Sequence, residues 1–253
     1  SFLSIARNNI SGNNIAGSKI YENKNVFISK SGAKLFFFTG LSFLILLAQP
    51  DFGSVMTLFS ALFILFSTVL LSLRQMASIV AMAIPAVVAL ILIAPYRVRR
   101  IVVFLNPWQD PKGKGFQIIQ SLIAIGSGSL WGVGIGQSQQ KFFYLPMQHT
   151  DFIFSVIAEE TGFVGVLIVV VTFAVFFYSG FKIALLLSDE FSSYAALGLT
   201  SLLAVRTVIN MMVTSAMAPT KGIGLPFISY GGTALLAALC SVGLIISFVR
   251  SEA

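Results

Sequence analysis

Long apolar runs are the feature that most constrains the fold of this chain. Six of them approach or exceed the roughly 20 residues that cross the hydrocarbon core of a bilayer as a helix. They cover residues 35–49, 54–73, 77–94, 152–178, 191–217 and 226–249. A transmembrane β-barrel has short segments of alternating hydrophobicity instead. The sequence therefore predicts an all-α polytopic membrane protein with about six transmembrane helices.

The composition excludes a water-soluble domain of this size. Of the 253 residues, 57% are apolar and only 10% are charged, whereas soluble domains carry about 25% charged residues. The net charge is +7. Because the basic residues lie in loops between apolar runs, lipid headgroups or a phosphorylated lipid are favoured as partners over nucleic acid. The single cysteine, Cys240, excludes an internal disulfide and a thiol-based metal site.

Basic residues near the ends of the runs orient the predicted helices. By the positive-inside rule, the short segments that carry them face the cytoplasm. The chain is then one membrane domain over 1–253, with a cytoplasmic segment at 1–34 and a large extracytoplasmic loop at 95–150. That outer loop carries more cations than the rule favours, which indicates a function for them.

The outer loop has an internal pattern. Residues 116–125 form an apolar stretch with spaced polar residues, which predicts a helix in the interface or dipping into the membrane. Gly128, Gly132 and Gly136 follow at intervals of four. This spacing permits close helix contact. We favour the alternative, a re-entrant turn in which glycines adopt unusual backbone angles.

Charged residues at membrane depth are costly and point to function. Asp151 stands at the outer mouth of the fourth span, where partial desolvation raises a carboxylate's pKa and suits it to act as a general base. Capping of the helix that begins at Phe152 is an equally good interpretation. For the remaining charges we expect pairing or burial in a polar seam, and they are Asp51, Glu159, Glu160 and Arg206.

Two further segments offer anion sites. The Gly- and Pro-rich turn at 219–232 holds one cation, Lys221, and suits a phosphate or pyrophosphate, although it can equally be a tight hairpin. Arg97, Arg99 and Arg100 offer a second site, with snorkelling to headgroups as the alternative. His149 is either a base or a hydrogen-bond donor at the interface.

Several long motifs resemble those of the SEDS family, which comprises FtsW, RodA and SpoVE. The resemblance covers roughly residues 35–249. It rests on QPDFG, NPWQDPKGKGFQIIQS, LPMQHTDFIF, AEE and PTKGIGLPFISYGG, which occupy residues 49–53, 106–121, 145–154, 158–160 and 219–232. Residues 134–146 and 219–222 look more like the cell-division branch, FtsW, than like RodA.

This resemblance implies a peptidoglycan glycosyltransferase of the bacterial inner membrane that polymerises lipid II at the division septum, with inversion. The family's catalytic aspartate falls on Asp151. Lys221 matches a lysine that the family needs for activity. The substrate-binding residues that we expect are Lys221, Arg97, Arg100, His149, Gln148, Thr220 and Ser229. The family has ten spans and this sequence has six, so we expect the C-terminal part of such a protein, inactive on its own. Met147 stands where the family often has an acidic residue.

Two other functions stay open at this point: a flippase that transports lipid II, and a non-catalytic scaffold for a transpeptidase. The partners implied are lipid II, a class B penicillin-binding protein of the FtsI type and other divisome membrane proteins, with no nucleic acid. No cofactor is certain. A divalent cation, Mg²⁺ or Mn²⁺, can assist at a pyrophosphate, but no ligand cluster in the sequence argues for one.

Overall fold

The computed structural model describes residues 30–49, 52–69, 71–113, 115–138 and 150–252. Within these ranges the chain is helical, with no strand. The helices are α1 (Lys30–Ala48), α2 (Phe52–Val69), α3 (Leu73–Ile93), α4 (Pro95–Leu105), a short 3-10 helix (Pro107–Gln109), α5 (Phe116–Ser127), α6 (Ile153–Leu186), α7 (Glu190–Thr214) and α8 (Gly232–Ser251). The predicted all-α class is confirmed.

Each of the six predicted spans falls on one of these helices. Four helices, α3, α6, α7 and α8, are long and apolar enough to cross a membrane. In α1 and α2 the apolar stretches found among the described residues are shorter, Phe37–Leu46 and Gly53–Thr68. The chain is therefore built for several membrane crossings, and the number six stays a prediction.

Some predicted boundaries are wrong. The last span was expected to begin at residue 226, but α8 begins at Gly232, because residues 226–230 form turns and bends. In the other direction, α6 continues to Leu186, eight residues beyond the predicted end at 178. Helix α1 begins at Lys30, so the end of the predicted cytoplasmic segment is already helical.

Helix α7 is the centre of the bundle and packs against α6, α2 and α8. Its buried positions mix apolar residues with small polar ones, which permit close approach between helices in a membrane protein. Thr207 donates to the carbonyl of Leu203 one turn earlier, and Thr214 donates to that of Asn210. Such bonds within the helix satisfy buried hydroxyl groups without a partner from another helix.

Helix α6 is interrupted at Gly162, whose φ of 65° and ψ of −165° are not helical. The interruption leaves amide and carbonyl groups without their usual partners in the helix. Segment 129–134 supplies replacements: the amides of Val133 and Gly134 donate to the carbonyls of Glu159 and Glu160 at 2.9 and 3.1 Å. In return the amides of residues 163 and 164 donate to the carbonyls of residues 129 and 130. Segment 129–134 and the broken helix thus satisfy each other's backbone groups.

The glycines in and around segment 129–134 serve two purposes. Gly132 and Gly136 have φ of +80°, and Gly134 has φ of +112°, which are the unusual backbone angles expected of these glycines. At Gly128 a Cβ atom would lie 2.0 Å from the carbonyl oxygen of Ala158 in α6, so this glycine permits close helix contact. Gly132 combines both features, since a Cβ atom there would lie 2.1 Å from the carbonyl oxygen of Glu160.

Candidate active site

Asp151 lies in the turn that leads into α6, and its side chain is half-buried. The N-cap residue of α6 is Phe152, and no side chain caps the helix. The capping interpretation of Asp151 is therefore wrong. Burial raises the pKa of the Asp151 carboxyl, while a hydrogen bond with Thr150 acts more weakly in the opposite direction. The Asp151 carboxylate is thus partly desolvated and does not cap the N-terminus of α6.

Asn210 fixes the backbone on which this carboxylate stands. It lies on α7 with 1% of its surface exposed. Its Nδ2 donates to the carbonyl oxygen of Asp151 at 2.8 Å and to that of Ile223 at 2.7 Å. One amide therefore joins the Asp151 turn to the turn at 219–226. The sequence analysis missed this residue, although an asparagine within an apolar span was a signal that could have found it.

Ser229 makes a second link between the same two segments. Its Oγ donates to the carbonyl of Thr150 and accepts from the amide of Leu225 at 2.6 Å. Gly224 packs so closely that a Cβ atom there would lie 2.9 Å from the Cβ of Ser229. A side chain at Gly224 is therefore incompatible with this contact.

A pocket of about 260 Å³ opens beside the Asp151 carboxylate. It is lined by α7, the 219–226 turn and the first two turns of α8. Arg206 lines it from α7. Of the two alternatives expected for Arg206, Glu159 and Glu160, pairing or burial in a polar seam, an ion pair between Arg206 and either glutamate is not found among the described residues. Arg206 lies on the face of α7 that lines the pocket.

A second, smaller pocket of about 80 Å³ gathers the predicted anion-binding cations. Arg97, Arg100, Thr220 and Lys221 line it together with Tyr96. Arg97 donates through Nε to the Tyr96 hydroxyl at 2.8 Å and through Nη1 to the carbonyl of Leu90 at 2.7 Å. Its guanidinium is thus held by protein atoms. Arg99 lines a different pocket.

The turn at 219–226 separates these two pockets. Lys221 lines the cationic pocket, and its neighbour Gly222 lines the Asp151 pocket. A Cβ atom on Gly222 would lie 3.6 Å from Oδ2 of Asp151. One short segment therefore has a carboxylate on one side and a group of cations on the other.

The other predicted residues lie away from the two pockets or outside the described residues. Glu159 has 2% of its surface exposed and accepts from the hydroxyl of Ser138, which places it in a buried polar contact as expected. Asp51, Gln148 and His149 lie outside the described residues. Among those described, no three His, Cys, Asp or Glu side chains come close enough to hold a metal ion.

The fold and site define a class: a helical, multi-pass membrane protein in which one turn has a half-buried carboxylate on one side and a cationic pocket on the other. The profile of a protein family described as "Cell cycle protein", that of FtsW, RodA and SpoVE, matches residues 15–253. The chain belongs to this family.

Two relatives illustrate the similarity. Stage V sporulation protein E of Bacillus subtilis is 42% identical over 209 residues, which are 83% of this chain and 57% of that protein. The "Probable peptidoglycan glycosyltransferase FtsW" of Escherichia coli O6:H1 is 41% identical over 226 residues, 87% of this chain and 53% of that one. The chain thus spans little more than half the length of these relatives.

Two solved structures share the fold. One, described as "Structural coordination of polymerization and crosslinking by a peptidoglycan synthase complex", has a TM-score of 0.67 and 32% identity, and the match covers 85% of this chain and 62% of that one. The other is a variant of the rod shape determining protein RodA of Thermus thermophilus, with a TM-score of 0.57 and 25% identity, covering 87% and 56% of the two chains.

Proposed function

We propose that this chain is part of a peptidoglycan glycosyltransferase that polymerises lipid II into glycan strands during septal wall synthesis. The observation that carries the proposal is the Asp151 carboxylate, half-buried and uninvolved in capping, beside a turn whose other face lines a cationic pocket. The relatives named as probable peptidoglycan glycosyltransferases support the reaction class.

In the proposed reaction Asp151 is the general base. One carboxylate oxygen takes the proton from the 4-hydroxyl of the acceptor sugar, and the hydroxyl oxygen forms a bond to the donor's anomeric carbon. The bond from that carbon to the pyrophosphate breaks, and the pyrophosphate leaves with the electron pair, so the configuration inverts. The raised pKa of the Asp151 carboxyl brings its basicity closer to that required at neutral pH.

The cationic pocket is assigned to the departing pyrophosphate. Lys221, Arg97 and Arg100 line it, and Thr220 adds a hydroxyl. Fixed positive charges that face developing negative charge stabilise a transition state without reorganisation. No step of the proposed reaction is routed through a metal ion. Gln148 and His149 are assigned to substrate binding from the sequence motif at residues 145–154.

The proposal extends to the setting in which the reaction occurs. We place the protein in the bacterial inner membrane at the division septum, with residues 95–150 outside. A class B penicillin-binding protein of the FtsI type is the proposed partner, supported by the similar structure that is described as a peptidoglycan synthase complex. Because the chain spans 57% of the SpoVE relative, we expect polymerisation from the full-length protein and none from these 253 residues alone.

The test is Asp151→Asn in the full-length protein, purified with a transpeptidase partner that has no polymerase activity, on labelled lipid II. Asn keeps the size of the side chain but is not a base, and loss of a general base costs on the order of 100- to 10,000-fold in rate. Glu190→Gln is the matched control, since Glu190 is an exposed carboxylate at the start of α7. It should retain the parent rate.

Near-parent polymerisation by Asp151→Asn would remove the base from the proposal. A flippase needs only charge complementarity at this position, so transport of lipid II by a variant that never forms glycan would favour that function. A scaffold predicts no effect of Asp151→Asn on either measurement.

A further inference from the structure

Arg206 is a charged residue within α7, one of the four helices that are long and apolar enough to cross a membrane. Its side chain is half-buried, and it makes no ion pair or hydrogen bond with any residue that the structure describes. Charged residues in such helices usually pair with each other or line a ligand path, because burying an unpaired charge is costly. An anionic ligand in the pocket would neutralise the charge of this unpaired guanidinium.

An anion bound to Arg206 in this pocket would lie close to the Asp151 carboxylate, because both residues line it. Among the described lining residues Arg206 is the single basic one and Asp151 the single acidic one. Arg206 precedes Asn210 by four residues on α7, about 6 Å along the helix axis. Asn210 in turn holds the backbone of Asp151. The Arg206 backbone therefore lies one helical turn from Asn210, on the side away from the C-terminal end of α7.

One face of α8 leads from this pocket into an apolar groove. Leu235 and Ala238 line the pocket, and Leu239 and Val242 line the groove. These positions have the i, i+3, i+4, i+7 spacing of a single helix face. Phe227 lines both spaces, so the groove begins where the pocket ends.

The groove has the size and composition for a hydrocarbon chain. It measures about 400 Å³ and contains no charged residue in its lining. Helix α6 contributes Phe173 and Phe176 to the wall opposite α8. A ligand that fills both the Asp151 pocket and the apolar groove has an anionic head and an apolar tail. A free inorganic anion satisfies the pocket and leaves the groove unused.

We infer that Arg206 binds the phosphate of a single-chain lipid phosphate, whose hydrocarbon chain extends along this face of α8 into the groove between α6 and α8. This inference deepens the proposed function, since it names where one lipid-linked substrate or product lies relative to Asp151. It differs from the sequence-based assignment, in which Arg206 is structural and the cationic pocket alone meets phosphate.

The experiment measures binding to the full-length protein in nanodiscs of phosphatidylcholine, which carry no net lipid charge. Every variant carries Arg100→Ala and Lys221→Ala, which remove two of the three cations of the cationic pocket, so that this pocket does not hold the diphosphate probes. The probes are farnesyl diphosphate, farnesol and inorganic diphosphate. Arg206→Gln removes the charge, Arg206→Lys keeps it, and Arg250→Gln is the control because Arg250 is exposed in the last turn of α8. Val242→Trp fills the groove, with Ile246→Trp as its control, since Ile246 is 61% exposed and lies outside the groove lining.

We expect Arg206→Gln to weaken farnesyl diphosphate binding by about tenfold or more, the loss of a charge-assisted bond, with Arg206→Lys in between. Farnesol binding should not change in Arg206→Gln, which also shows that the variant is folded. Val242→Trp should weaken farnesyl diphosphate and farnesol alike and leave inorganic diphosphate unaffected. Both controls should match the parent.

Unchanged farnesyl diphosphate binding by Arg206→Gln overturns the inference. Equal affinity for inorganic and farnesyl diphosphate, or an effect of Ile246→Trp as large as that of Val242→Trp, overturns the assignment of the groove to a lipid chain. Binding is measured without turnover, so failure of the base assignment in the Asp151→Asn polymerisation assay is a separate result.

Discussion

Replacing Asn210 by Leu should loosen the turn at 219–226 before it unfolds the protein. The Asn210 amide donates to the carbonyls of Asp151 and Ile223 at 2.8 and 2.7 Å. Leu has a similar size, so no large cavity forms, but it has no donor for either carbonyl. The two outer segments then lose the link that joins them to α7.

The bond to Ile223 sets the size of the effect on this turn. A buried hydrogen-bonding group left without its partner costs about 1–3 kcal/mol. If the turn opens reversibly, its open population rises by about 5- to 150-fold, since about 1.4 kcal/mol corresponds to a factor of ten. Proteolysis follows this population when opening and closing are fast relative to cleavage. Lys221 lies within the turn and provides a trypsin site.

The assay is limited trypsinolysis in detergent, with cleavage after Lys221 followed by mass spectrometry. Thr200→Val is the matched control on the same helix: Thr200 has 1% of its surface exposed, and its hydroxyl makes no hydrogen bond to any described residue. Removing that hydroxyl should leave cleavage unchanged. If Asn210→Leu and Thr200→Val are cleaved after Lys221 at the same rate, Asn210 does not hold the turn.

Three further predictions address the helix break, the carboxylate and the topology. Gly162→Ala should lower the midpoint temperature of thermal inactivation. The φ of +65° at position 162 costs a residue with a Cβ about 1–3 kcal/mol, and the new Cβ would lie 2.4 Å from the amide nitrogen of Gly132. Gly243→Ala is the control and should leave the midpoint unchanged, because no atom lies within 4 Å of a Cβ built at Gly243. As the pH is lowered, the polymerisation rate should begin to fall while the pH is still above 3.8, the ordinary pKa of aspartate. Burial raises the pKa of Asp151, and only its ionised form accepts a proton. A rate that falls only at or below pH 3.8 would contradict this prediction. In a Cys240→Ala background, an impermeant thiol reagent applied to intact cells should label Lys112→Cys and not Arg250→Cys; the reverse pattern would invert the proposed topology.

Hydrophobicity along the chain was sufficient to predict the helices, because a span needs only a local run of apolar residues. Each of the six predicted spans falls on a helix. The sequence analysis also singled out the segment around Asp151 and the Gly- and Pro-rich turn at 219–232, which the structure places in contact. The break at Gly162 was not predicted, since one glycine in an apolar run does not reveal a docking segment some 30 residues earlier.

What only the tertiary structure decided is which partners the polar residues meet. Asn210 bonds to a carbonyl 59 residues away, and Ser229 to one 79 residues away. Arg206 lines the Asp151 pocket and does not pair with Glu159, and Lys221 lines a different pocket from its neighbour Gly222. Spacing within one helix fixes the face on which a side chain lies, but not which helix or turn packs against that face. That choice depends on how all the helices pack, so the two pockets beside the turn at 219–226 follow from the fold and not from any single motif.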